Sequence, residues 1–126
     1  MAKKIINPPN APQPIGPYNQ AVIANKLVYT AGQIALDPAT NFMLTGGVSE
    51  QTRQVLKNLQ NILEGAGTSL ENVLKVTVYL KDMNDFQAMN AVYGEFFKKD
   101  APARATVQVA RLPKDALVEI ECVAAL

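Results

Sequence analysis

Histidine is missing from this 126-residue chain, and with it the usual general base near neutral pH and the commonest metal ligand. Any acid/base step falls to carboxylates, lysine, tyrosine or water, and no Ser/His/Asp or Cys/His arrangement can be built. The single cysteine, Cys122, closes no disulfide within the chain and offers no CxxC metal site, so a reducing, cytoplasmic setting without a metal is expected. Charge is scarce as well: 18% of residues are charged, 12 basic against 11 acidic, and the net charge is +1. Like charges run no further than Lys3-Lys4 and Lys98-Lys99, which is not the basic stripe that nucleic acid binding needs. The chain passes from Lys4 straight into Asn7-Pro8-Pro9-Asn10 without an apolar segment of signal-peptide or membrane-spanning length, so a soluble protein, neither exported nor inserted, is expected. Gly65-Ala66-Gly67 lacks the third glycine of a dinucleotide loop and follows a helical pattern where that motif needs a strand.

Apolar side chains make up 48% of the chain, enough for one hydrophobic core, and residues 1–126 are expected to form one domain. Pro8, Pro9, Pro12, Pro14 and Pro17 predict an extended, helix-free arm. Ala21 to Ala24 and Leu27 to Ala31, separated by Asn25-Lys26, predict a hairpin with a two-residue turn. A loop punctuated by Asp37-Pro38 and Gly46-Gly47 follows, with a short strand expected at Phe42-Met43-Leu44. From about Ser49, the positions Val55, Leu56, Leu59, Ile62, Leu63 and Ala66 have helical spacing, and Gly65 and Gly67 supply a stop. Val73 to Leu80 alternates as a strand. A second helix is expected from Asn84, with Gln87 at capping-box spacing and Phe86, Met89, Tyr93 and Phe96 or Phe97 as its apolar stripe. Two more alternating strands follow, around Arg104 to Val109 and Val118 to Ala124.

The order β-β-α-β-α-β-β describes an α+β fold, a mixed β-sheet with two helices on one face. Because the helices need one sheet face, Lys75, Thr77, Tyr79, Arg104, Thr106, Gln108, Glu119 and Glu121 are expected on the other. That surface then meets solvent or another subunit, with clefts at its margins suited to ligands.

Arg104 is one of three arginines and opens a strand after Ala101-Pro102-Ala103. Its planar fork can hold a carboxylate by two charge-assisted hydrogen bonds, and it can equally be a structural arginine. Glu119 and Glu121 alternate with apolar neighbours, so each can orient or deprotonate water or serve as a salt-bridge partner of Arg104. Tyr18 is presented by Ile15-Gly16-Pro17-Tyr18, for a ligand or to cap a turn. Phe86 and Asn90 share a helix face four residues apart, and Asn90 there needs a polar partner. Cys122 falls on the apolar side of its strand, as an inert core thiol.

Ile15-Gly16-Pro17-Tyr18 with Gln20-Ala21, Ala31-Gly32-Gln33-Ile34, Asn84-Asp85-Phe86 with Asn90, Pro102-Ala103-Arg104, and Leu112-Pro113-Lys114 followed by Val118-Glu119-Ile120-Glu121 occur in this order over nearly the whole chain. In these segments the chain resembles the Rid (YjgF-type) family. The resemblance implies a chorismate-mutase-like (bacillary type) α+β fold that forms a homotrimer with three clefts, each built from two chains. It implies an imine/enamine deaminase that hydrolyses 2-imino acids, formed from enamines such as 2-aminoacrylate, to 2-keto acids and ammonia, without a cofactor. It implies Arg104 as the carboxylate anchor and Glu121 as the group that positions or activates water. Tyr18, Gly32, Phe86 and Asn90 would shape the cleft, with Thr106 where many bacterial members carry cysteine. A held carboxylate and a placed water are most of what an already electrophilic iminium requires. Two other functions fit such a chain: a non-catalytic sensor of small keto or carboxylic acids, and the ribonuclease or translation-inhibitor activity described for some relatives, which the missing basic patch and missing histidine disfavour.

Overall fold

The computed structural model describes residues 2–126. Strand β1 (Lys4–Ile6), contributed by the arm, is followed by the hairpin of β2 (Ala21–Ala24) and β3 (Leu27–Thr30), helix α1 (Val48–Ala66), strand β4 (Val73–Leu80), helix α2 (Phe86–Phe96) and strands β5 (Ala103–Gln108) and β6 (Val118–Ala125). The six strands form one sheet in the order β1-β2-β3-β6-β4-β5. Every pairing is antiparallel except that of β4 with β5, which α2 connects. A parallel neighbour needs such a crossover, and the helix length between the two strands supplies it.

The hairpin turn forms at Asn25-Lys26, both left-handed at φ 51° and 63°, as a two-residue turn matched to strand twist requires. In α1, the Glu50 carboxylate accepts from the Gly47 N–H at 2.9 Å. The helix ends at Gly67, left-handed at φ 93°, where Thr68 N–H donates to the Leu63 carbonyl and completes a common helix stop. Its stripe of Val55, Leu56, Leu59, Ile62 and Leu63 is fully buried against Val28, Val76, Val78, Ile120 and Ala124 of the sheet. Gly65 lies inside the helix and gives the arm its seat: a β-carbon there would stand 2.7 Å from Pro8 Cβ.

Three expectations are corrected. Residues 42–44 form only a single bridge, Leu36 to Met43, because the loop is closed by short contacts such as Asp37 N–H to the Phe42 carbonyl. The turn into α2 is capped by Asp82, which accepts from Asn84 N–H at 2.9 Å, and a 3-10 turn over Met83–Asp85 precedes the helix. The third correction concerns β5. Lys75, Thr77, Tyr79, Glu119 and Glu121 lie on the sheet face away from the helices, alternating with buried Val76, Val78 and Ile120. Arg104 and Thr106, however, register with Val76 and Val78 and therefore share the helix side. Gln108 also points there, accepting from Met83 N–H at 2.7 Å. As an edge strand, β5 is only partly roofed by α2, so polar side chains fit on its helix side while Ala105 and Val107 face outward, exposed.

Candidate active site

The folding just described divides the sequence-marked residues into two groups. The first gathers where the arm crosses the loop after β3. Tyr18 and Gly32 line a cleft there with Pro12, Gln13, Pro14, Ile15, Gln33, Ile34 and Glu119. The arm is held by Gln20, buried, whose side-chain amide donates to the Pro12 carbonyl and whose N–H donates to Asn7 Oδ1 at 2.8 Å. Tyr18 caps its own turn by accepting from Ile15 N–H at 3.2 Å, leaving its ring half exposed. Gln33 and Ile120 exchange backbone hydrogen bonds of 2.8 and 3.1 Å, which draws Gly32 down onto the neighbouring Glu119 side chain. From behind, Asn58 of α1 pins the same segment by donating to the Leu36 carbonyl at 2.9 Å and the Ile34 carbonyl at 3.4 Å.

Glu119 is thus the carboxylate of this cleft. Burial, with a smaller contribution from the charge of nearby Glu121, pushes its carboxyl above the ordinary value of 4.5. Glu121 does not line the cleft; it accepts a hydrogen bond from the Tyr79 hydroxyl at 3.1 Å. Alternation could not separate the two glutamates, because both share a face; the bridge from Gln33 to Ile120 does.

The second group lies on β5 and α2. The Arg104 guanidinium carbon stands 4.6 Å from the centre of the Tyr93 ring and 5.5 Å from that of Phe86. Phe86, Asn90 and Tyr93 occupy one helix face at i, i+4 and i+7, so Asn90 lies between the two aromatics. Among the described residues, the ion pairs are Arg53 with Glu95 and Lys81 with Asp115, and Arg104 has no carboxylate partner. Thr106 Oγ1 and the Tyr93 hydroxyl are buried without a hydrogen-bond partner. Burial raises the Tyr93 phenol above its ordinary value, with the Arg104 charge acting in the opposite direction.

The two groups do not meet within one chain. Glu119 registers with Tyr79, and Tyr79 with Val107, three residues from Arg104. Two strand spacings and three residue rises separate Glu119 from Arg104 by about 14 Å along the sheet, and their side chains leave opposite faces. No group of His, Cys, Asp and Glu able to hold a metal occurs among the described residues. Cys122 is buried, its thiol pushed up to about 11 by burial against the opposing effect of the Thr30 hydroxyl. No helix among the described residues is long and apolar enough to cross a membrane.

Fold and site together define a single-sheet α+β domain that carries two polar groups of residues, one around the half-buried Glu119 carboxylate and one around the Arg104 guanidinium, which has no carboxylate partner among the described residues. Residues 8–126 match the family described as endoribonuclease L-PSP, and the chain belongs to that family, also called YjgF/RutC. A RutC family protein of Pyrococcus horikoshii is 57% identical over 122 residues, 97% of each chain. The human protein named 2-iminobutanoate/2-iminopropanoate deaminase is 46% identical, over 98% of this chain and 90% of its own. Among solved structures, Escherichia coli TdcF with bound serine superposes with a TM-score of 0.92 at 44% identity, covering 98% of both chains.

Proposed function

We propose that the protein is a hydrolytic deaminase of 2-imino acids, acting at a cleft completed between two chains of a chorismate-mutase-like homotrimer in the cytoplasm. The observation that carries this reading is the unpaired Arg104. A guanidinium half-buried against aromatic rings without a protein carboxylate is a ready partner for a ligand carboxylate. The deaminase name of the human relative and the serine bound to the Escherichia coli relative support a small substrate of the amino-acid type.

Hydrolysis needs water added to the C=N carbon and a proton carried to the departing nitrogen, after which the carbinolamine collapses to the 2-keto acid and ammonia. Arg104 holds the substrate carboxylate, beside Phe86, Asn90 and Thr106. Glu119, rather than Glu121, is the group placed to accept a proton from the attacking water and return it to nitrogen, since it lies in the cleft with Tyr18 and Gly32. A carboxyl with a raised affinity for protons suits both halves of that exchange. Half-sites on opposite faces of one sheet cannot close on one small molecule, so Arg104 of one chain faces Tyr18, Gly32 and Glu119 of the next. The exposed Ile5, Tyr29 and Val107 on the outer sheet face, each more than 40% accessible, supply apolar area for that assembly.

Generating 2-aminoacrylate from serine with a pyridoxal-phosphate-dependent dehydratase and following keto-acid formation tests the proposal. The expected result is clear acceleration by the protein. A rate equal to the uncatalysed one at high protein concentration overturns it and leaves a carboxylic-acid sensor as the reading of the same cleft.

A further inference from the structure

We infer that Tyr93 is a positioning residue for the carboxylate anchor: its ring holds the Arg104 guanidinium in the place a protein carboxylate would otherwise take. This inference rests on the reading of Arg104 as a carboxylate-binding group. Periodicity assigns Tyr93 to the apolar stripe of α2, as a core residue. In the structure it is only 6% exposed, and one face of its ring lies under the Arg104 guanidinium, 4.6 Å away. The ring is itself stacked on Phe97, with centroids 4.6 Å apart and the planes tilted by 34°.

A carboxylate partner would fix the arginine, but it would also occupy the paired N–H donors that recognise a ligand carboxylate. An aromatic face attracts the cation through the ring quadrupole and consumes none of those donors. Phe86, at 5.5 Å, contributes less by distance. The Tyr93 ring, packed on Phe97, therefore seats the guanidinium while leaving its fork free. The ring is what lies under the guanidinium; the Tyr93 hydroxyl meets no hydrogen-bond geometry but is close enough to Arg104 to interact with it, and Tyr93→Phe separates the two contributions.

A simple packing role and a positioning role make different demands on residue 93. Packing needs only volume, whereas positioning needs an electron-rich face. The test uses Tyr93→Leu, Tyr93→Phe and a series of increasingly fluorinated phenylalanines at position 93, which keep the shape of the ring while draining its negative face. Pyruvate binding is measured by calorimetry, imine hydrolysis is resolved into kcat and KM, and thermal midpoints are recorded.

Affinity is expected to fall stepwise with fluorination, roughly threefold to thirtyfold across the series, in Kd and KM rather than kcat and with an unchanged midpoint. Tyr93→Phe restores most of the affinity that Tyr93→Leu loses. An affinity that ignores the ring's electron density overturns the inference even if turnover is intact. Absent hydrolysis with pyruvate binding that depends on Arg104 and follows the ring series refutes the deaminase reading alone. If the unaltered protein does not bind pyruvate, the anchor and its positioning residue fall together.

Discussion

The Glu119 carboxyl group occupies the space that a side chain at residue 32 would need: a β-carbon on Gly32 would stand 2.8 Å from the carboxyl carbon of Glu119. Gly32→Ala therefore has to move Glu119. Its expected effect is a loss of about a hundredfold in kcat/KM, the scale of an ångström-sized misplacement of a reacting group. Steady-state kinetics beside a melting curve measures this. Unaltered kinetics would remove Glu119 from the reaction.

The two glutamates of β6 are separable by pH. The folded-state pKa of Glu119 is raised, so the folded protein binds more protons than the unfolded chain between the ordinary value and the raised one. Stability then falls as pH rises through that window, and the penalty remains at neutral pH. Glu119→Gln is expected to raise the melting temperature relative to the unaltered protein at pH 7, with the difference shrinking below about pH 4.5, while activity is lost. Glu121→Gln removes the charge that helps raise Glu119, so it keeps activity and moves the acidic limb of the rate profile to lower pH. An acidic limb that stays in place in Glu121→Gln would contradict the coupling.

Arg104→Ala should lower kcat/KM by about a hundredfold to ten-thousandfold, the loss of two charge-assisted hydrogen bonds. Arg104→Lys is expected to fall between, since an ammonium cannot reproduce the planar fork. Equal kcat/KM in Arg104→Ala and the unaltered protein would refute the anchor.

Shared clefts make a prediction about mixtures. Arg104→Ala and Glu119→Gln are each expected to be inactive, yet when unfolded together and reassembled in equal amounts they should recover about a quarter of the original rate, the chance that one chain brings the arginine and its neighbour the glutamate. Sedimentation should show a species three times the chain mass. A recovered rate of zero, with trimers formed, would place both halves of each site in one chain.

Asn58 is a structural test of the cleft wall. It is fully buried and satisfies two carbonyls of the segment behind Gly32. Asn58→Ala is expected to cost about 1–3 kcal/mol by chemical denaturation, the penalty of leaving buried acceptors unpaired. A change within error would mean that water takes over those bonds.

Much of this was legible in the residues themselves. Asn25-Lys26 tolerates left-handed backbone and announces the hairpin, and the stripe from Val55 to Leu63 leaves one orientation for α1. Alternation correctly paired Arg104 with Thr106 on one side of β5 and Ala105 with Val107 on the other, but it could not say which side α2 covers. That depends on β5 being an edge strand parallel to β4, a long-range fact with no local signature. The positions of Glu119 and Tyr93 were hidden for the same reason: one is set in the cleft by the bridge from Gln33 to Ile120, the other lies under the guanidinium that β5 brings over α2.

The seat of Pro8 on Gly65 gives the proline-rich arm an unusual standing. The stretch that bears on α1 at Pro8 goes on, within a few residues, to form the cleft wall at Pro12 to Ile15. The proline-rich arm is thus part of the mould that shapes the cleft. Displacing Pro8 from Gly65 would be felt at the cleft even though Tyr18, Gly32 and Glu119 are left untouched.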